Sequence, residues 1–248
     1  RSVVSLDGAS REVNDATRGL FQRVVYGIES LKKEDVPIRL ACVVTKQNVK
    51  YVHEMVKFAE DLKAISIGFI LHSEVGRALS TQRKLELSKE ELMGFVHKIH
   101  AYRTMNYKKT IINIVFPHES YIPWELSEFI DVDEIVRYWG RKRLKGNRVL
   151  GCHAGISMCA ISARGEVYGC EQFINFPEMS AGNLYESSLE QIWLEGKIFK
   201  ELRDIDSASI EGRCNDCKNK ECGMGCRAMV YADCKNLKAS YLRCCYGK

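Results

Sequence analysis

Apolar residues in the first 116 positions alternate between short runs and helical spacing. Val3 to Leu6 is a short apolar run closed by Asp7-Gly8, which predicts a buried strand and its turn. From Arg11 to Lys33, residues Leu20, Val24, Ile28 and Leu31 recur at helical spacing, so one long helix is expected. Pro37 to Thr45 is rich in β-branched residues and reads as the second strand. Asn48 then opens a helix with Val52, Met55, Val56, Phe58 and Ala59 on its inward side. Ile65 to Leu71 is a third strand. Ser88, with Glu91 three residues on, forms a capping box at the start of the next helix, and Thr110 to Phe116 is a fourth strand.

Strands that alternate with helices and are themselves mostly apolar are the signature of a parallel α/β sheet. This half reads as a piece of a βα-barrel or of a doubly wound sheet. In a βα-barrel the functional groups sit where strands end, which points to Ser5, Asp7, Thr45 and the loop from His72 to Arg77. Ser5 and Asp7 serve equally well to close the strand and cap the next helix. Beyond Pro123, Trp124 to Tyr138 suggests one or two amphipathic helices, and Gly140-Arg-Lys-Arg-Leu-Lys-Gly146 reads as a basic linker. Two short strands around Gly165 follow. Ser188 to Arg203 reads as one amphipathic helix, with Ile192, Trp193, Ile198, Phe199 and Leu202 available for a core.

Composition narrows the class. With 46% hydrophobic and 28% charged residues, the 248-residue chain is ordinary for a globular protein. No apolar run is long enough to span a membrane and no signal-peptide pattern is present, so a cytoplasmic protein with no membrane partner is expected. The cysteines are not ordinary. Ten of eleven lie between Cys152 and Cys245, and Cys42 stands apart in an apolar strand as a small buried hydrophobe. A secreted disulfide scaffold would be shorter and would spread its cysteines through the chain, so metal binding is favoured. The formal charge of +5 shrinks by about four if eight thiolates surround two clusters, each with a core charge of about +2. Basic character then argues little for nucleic acid.

Two groups of thiols are distinguishable: Cys152, Cys159 and Cys170, and then Cys214-x2-Cys217-x4-Cys222-x3-Cys226, followed by Cys234, Cys244 and Cys245. A zinc ribbon uses two CxxC pairs, and only Cys214/Cys217 is one. Ten thiols exceed one site and suffice for two, so two iron-sulfur clusters are the simplest account and zinc the alternative.

These residues carry a family resemblance. Cys152-His-Ala-Gly, the run from Ala160 through Gly165 to Cys170-Glu-Gln-Phe, then Gly182-Asn-Leu, Leu189-Glu-Gln-Ile-Trp193 and Cys214 to Cys226-Arg-Ala together resemble the SPASM domain, the auxiliary-cluster region of radical S-adenosylmethionine (SAM) maturases. Val4-Ser5-Leu6-Asp7-Gly8 with Asp15 and Arg18-Gly19, Cys42-Val-Val-Thr45, and Gly76-Arg77-Ala78 are similar to later segments of the radical SAM barrel. Anaerobic sulfatase maturases and thioether-forming peptide maturases are the nearest likenesses.

The resemblance implies an α/β fold: the C-terminal half of a partial βα-barrel over residues 1–140, a linker over 141–149 and a SPASM domain over 150–248. It implies two auxiliary 4Fe-4S clusters. One would use Cys152, Cys170 and Cys226 with Cys159 as a candidate fourth ligand. The other would use Cys214, Cys217, Cys222 and a late cysteine, for which Cys244 competes with Cys234 and Cys245. Ser5 would lie near SAM, with Asp7 and Arg18 supporting that strand end. The implied partners are a peptide or protein substrate and an electron donor such as ferredoxin or flavodoxin. The family's CxxxCxxC loop, which binds the SAM-cleaving cluster, is absent from these 248 residues, and with a start lacking Met the chain reads as a fragment. The Cys217-x4-Cys222 spacing is one residue shorter than the family's commonest form. Two further classes stay open: a non-catalytic electron-transfer or peptide-binding protein, and a zinc-stabilised interaction module.

Overall fold

The computed structural model describes residues 2–72, 78, 85–104, 110–115, 152–206, 208–217, 224–242 and 244. Those from 2–72, 85–104 and 110–115 belong to one compact unit, and those from 152 onward to a second. The predicted segments from Trp124 to Tyr138 and Gly140 to Gly146 lie outside the described residues, as do Gly76 and Arg77.

The first unit is a four-stranded parallel sheet in the order β1 (Ser2–Ser5), β2 (Ile38–Val44), β3 (Ser66–Leu71), β4 (Ile111–Val115). Its helices are α1 (Arg11–Asp15), α2 (Phe21–Lys33), α3 (Val52–Asp61) and α4 (Lys89–Thr104). Side chains along a strand alternate between faces, and the two faces of this sheet differ. Leu40, Cys42, Val44, Ile67, Phe69, Leu71 and Ile112 are buried on one, together with Val52, Met55, Val56 and Ala59 of α3 and Phe95, Val96 and Ile99 of α4. Phe69 and Phe95 meet edge to face at 5.8 Å. Each such side chain contributes about 1.5–3 kcal/mol by leaving water.

Among the described residues the opposite face is less covered. Strand register aligns Val3, Arg39, Ser66 and Ile111 in one row, and Ser5, Ala41, Gly68 and Asn113 in the next. Val3 is 69% exposed and Ile111 60%. A Cβ built on Gly68 would meet nothing nearer than the Leu40 carbonyl oxygen at 3.9 Å. Mostly apolar strands therefore build a sheet whose helices cover one face.

The long helix expected from Arg11 to Lys33 is two helices. Asn14 and Asp15 break it. The Asn14 side chain accepts from the Asp7 N–H at 3.0 Å and donates to the Gly19 carbonyl at 2.9 Å, while the Asp15 carboxylate accepts from the Phe21 N–H at 2.9 Å. Gly19 and Leu20 turn left-handed, with φ of 80° and 60°. Leu20, placed by its spacing in the core, is instead 64% exposed. The capping box at Ser88 is present, with Glu91 accepting from the Ser88 N–H at 2.7 Å and the Ser88 hydroxyl accepting from the Glu91 N–H at 3.2 Å.

The second unit holds an antiparallel sheet, β5 (Ala160–Ile161), β6 (Glu166–Tyr168) and β7 (Ser180–Asn183), in that order. Its helices are α5 (Leu189–Glu195), α6 (Lys197–Asp204), α7 (Arg213–Asp216) and α8 (Arg227–Cys234). Tyr168, Phe173, Ile192, Phe199, Leu202, Met229 and Tyr241 are buried there. The single helix expected from Ser188 to Arg203 is divided at Gly196. A Cβ there would fall 2.5 Å from the Ile192 carbonyl oxygen and 3.0 Å from that of Ala181, so the close approach of β7 requires glycine. Ser188 still opens α5 with a capping box to Gln191.

Candidate functional site

Two places collect chemistry-bearing side chains. The first is the end of β1. Ser5 is exposed there, while Asp7 is only 4% exposed. After Leu6 the chain leaves the sheet, and the Asp7 carboxylate continues the ladder in place of a main-chain carbonyl, with Oδ1 accepting from the Val43 N–H at 2.9 Å. The same carboxylate meets Arg18 in two places, Oδ1 accepting from Nη2 at 3.2 Å and Oδ2 lying 3.1 Å from Nε. Thr17 adds a hydroxyl donor at 3.4 Å. Four donors thus converge on two oxygens.

Asn48 completes this knot. Its side chain accepts from the Thr45 N–H and donates to the Asp7 and Val43 carbonyls, each at 2.8 Å. The expected helix opener is therefore a buried bracket between two strand ends, and no side-chain cap bond is made by it. Thr45 is buried against it. Cys42 is 2% exposed on the covered face, and burial pushes its thiol pKa well up, with the Asp7 charge adding to the rise.

The second place is the cysteine-rich unit. The hairpin exit puts Cys170 two residues beyond β6, 8% exposed. Burial raises its thiol pKa, and the charges of Cys152 and Cys226 raise it further. Cys226 is pushed up to about 11, first by burial and then by Cys152. Three thiols from distant parts of the chain therefore feel one another, which requires them to be neighbours in a poorly solvated place. Gly155 helps to fold the Cys152 segment back, donating to the Met158 carbonyl at 3.0 Å and the Gly169 carbonyl at 3.2 Å. Cys159 is half-buried immediately before β5.

Around Cys214 the chain is stitched to residues 236–242. The Cys214 N–H donates to Ser240 Oγ at 2.9 Å, and that hydroxyl donates to the Glu211 carbonyl at 2.6 Å. Arg213 reaches the Tyr241 and Leu242 carbonyls at 2.8 and 2.6 Å. This brings the chain leading to Cys244 back beside Cys214. Cys217 is half-buried after α7; Cys234 is half-buried at the end of α8. Cys222 and Cys245 lie outside the described residues. Among the described residues, no three His, Cys, Asp or Glu side chains are drawn together closely enough for one metal ion.

Met224 and Gly225 are consecutive left-handed residues, with φ of 61° and 86°, and a Cβ on Gly225 would fall 2.5 Å from the Tyr241 ring. Gly225→Ala is expected to destabilise this unit by about 1–3 kcal/mol through strain and overpacking. Thermal unfolding of the variant, with iron content measured alongside, checks this.

The sequence marks Asn48 only as a helix opener and Arg227 only as part of the Cys226-Arg-Ala motif, and it does not mark Arg213, Ser240 and Tyr241 at all. Each also has a partner ten or more residues away in the chain, which no local pattern announces.

Residues 152–218 match the model of SPASM, an iron-sulfur cluster-binding domain. This chain carries a SPASM domain. Along nearly its whole length it is also similar to radical SAM enzymes that carry such domains. It is 27% identical over 94% of its length to the AdoMet-dependent heme synthase of Methanosarcina barkeri, covering 63% of that protein. It is 26% identical over 92% of its length to mycofactocin maturase MftC of Mycolicibacterium smegmatis, covering 53% of it. The structure of Streptococcus suis SuiB bound to precursor peptide SuiA superposes with a TM-score of 0.67 at 17% identity, over 98% of this chain and 52% of that one. This likeness shows the fold: part of a βα-barrel followed in sequence by a SPASM domain. The chain spans about half to three-fifths of the length of these relatives. No helix among the described residues is long and apolar enough to cross a membrane.

Proposed function

We propose that this chain is the auxiliary-cluster part, with half of the barrel, of a radical SAM/SPASM enzyme that modifies a peptide or protein. The observation that carries the reading is the convergence of Cys152, Cys170 and Cys226 inside a SPASM domain. A single tetrahedral ion needs its sulfurs drawn to about 2.3 Å from one point, whereas a cluster spreads them over several irons. Thiols that hold one another protonated would lose their protons to solvent as their thiolates bind a cationic iron-sulfide core, so the donor set suits a 4Fe-4S cluster. Cys159 is the candidate fourth ligand. Cys214, Cys217, Cys222 and Cys244 would hold the second cluster; the return of 236–242 to Cys214 favours Cys244 over Cys234.

When bound, SAM with its own cluster would supply radical hydrogen-abstraction chemistry, and the clusters held by the cysteines above would supply one-electron redox chemistry. This chain's residues position. Ser5, exposed at the strand end, would help to hold SAM. Asp7, Arg18 and Asn48 fix that end, and with four donors already on its carboxylate Asp7 acts by holding the strands. A peptide substrate is supported by the maturases among the relatives and by SuiB's precursor-peptide complex. The heme synthases among the relatives favour a second reading, a tetrapyrrole substrate. A ferredoxin or flavodoxin would deliver electrons.

The test is anaerobic turnover of the complete protein with SAM and reductant. Release of 5′-deoxyadenosine stimulated by a peptide encoded nearby, with a mass change in that peptide, is expected. Stimulation by a tetrapyrrole instead establishes the second reading. Stoichiometric zinc in place of iron sinks both.

A further inference from the structure

Among the described residues Arg227 is the largest fully buried side chain, 1% exposed, and it opens α8 directly after Cys226. Its guanidinium donates to the Leu237 carbonyl at 3.0 Å, to the Ala239 carbonyl at 3.1 Å and to the Met224 carbonyl. One rigid fork therefore clips two loops: the left-handed turn that delivers Cys226, and the segment that runs through Ser240 and Tyr241 toward Cys244. The second loop also holds the Cys214 N–H through Ser240. A lysine has the charge but not the planar fork that reaches carbonyls on both loops.

Carbonyl bonds hold the two terminal nitrogens of the guanidinium without removing its charge. That charge belongs to the residue directly after Cys226, in a side chain almost wholly out of water. Away from water its field is weakly screened. A 4Fe-4S cluster gains a negative charge on reduction, so a fixed cation beside one of its ligands favours the reduced state.

We infer that Arg227 is a positioning residue for the SPASM domain that clips the Cys226 turn to the 237–239 loop and raises the reduction potential of the cluster held through Cys226. The inference rests on the assignment of Cys226 as a cluster ligand. Its content is separate from that assignment: it concerns one side chain that ties the two proposed cluster sites together and tunes one of them.

The experiment uses the complete protein, anaerobically reconstituted, with EPR-monitored redox titration and iron release to a ferrous chelator. Arg227→Lys keeps the charge and loses the fork; it is expected to hold the wild-type potential and to release iron faster, on the order of tenfold for the net loss of one or two buried bonds. Arg227→Gln loses the charge; the potential of one auxiliary cluster is expected to move negative while the other stays in place. An Arg227→Gln protein whose potentials match wild type overturns the inference, as does an Arg227→Lys protein that releases iron no faster than wild type. If Arg227→Gln does not retain the cluster, the release rate of Arg227→Lys alone decides. Cys226→Ser is the control for the underlying assignment: if it keeps all its iron, the ligand set is wrong and the fault lies there.

Discussion

Cys170→Ser is expected to remove about four of about eight irons from the two auxiliary sites, a loss read directly by anaerobic iron and sulfide analysis. Cys170 is 8% exposed and lies where the charges of Cys152 and Cys226 both reach it. A serine hydroxyl stays protonated at any working pH and is a poor ligand for iron, so the cluster would be left with too few anchors. The steric change is small, since oxygen is smaller than sulfur and the hairpin that carries the residue is fixed by β5 and β6. Cys42→Ala is the matched control. Cys42 is equally buried but lies on the helix-covered face of the first unit. Its removal is expected to cost some packing and no iron. Unchanged iron in Cys170→Ser would remove that cysteine from the ligand set.

The second large effect is expected at Asp7. Asp7→Ala removes the acceptor for the Val43 N–H, both contacts to Arg18 and the bond from Thr17. Losing one partner of a buried charged pair costs about 3–5 kcal/mol. Because a third of the Arg18 side chain remains in water, about 2–4 kcal/mol is the appropriate figure here. Native-state hydrogen exchange suits the measurement, since unfolding of a cluster protein is not two-state. The Val43 amide should lose most of its protection while amides in β3 change less. Equal protection in the variant would show that the carboxylate is not what closes the strand end.

The strands and the covered face were legible because their signals are local. The β-branched run from Pro37 to Thr45 and the inward positions of α3 predict their own burial, and Ser88 with Glu91 predicts its own cap. The two helix breaks were not legible. Leu20 stays in phase with Val24 and Ile28, so periodicity runs straight through a point that Asn14 and Asp15 interrupt by bonding to Gly19 and Phe21. At Gly196 the cause is further off, the Ala181 carbonyl of β7. The site divides in the same way. Its cysteines announce themselves by type and spacing, whereas the residues that hold them do not. Asn48 bonds to a carbonyl 41 residues away, and Ser240 to an amide 26 away. No window along the chain contains both ends of either bond.

Ser240 also bears on when the protein matures. The Cys214 amide and the Glu211 carbonyl meet the same hydroxyl, and Arg213 meets carbonyls 28 and 29 residues further on. While the ribosome is still adding residues 236–242, these bonds of the Cys214 loop cannot form. The closure of the Cys214 loop therefore waits on the synthesis of that segment.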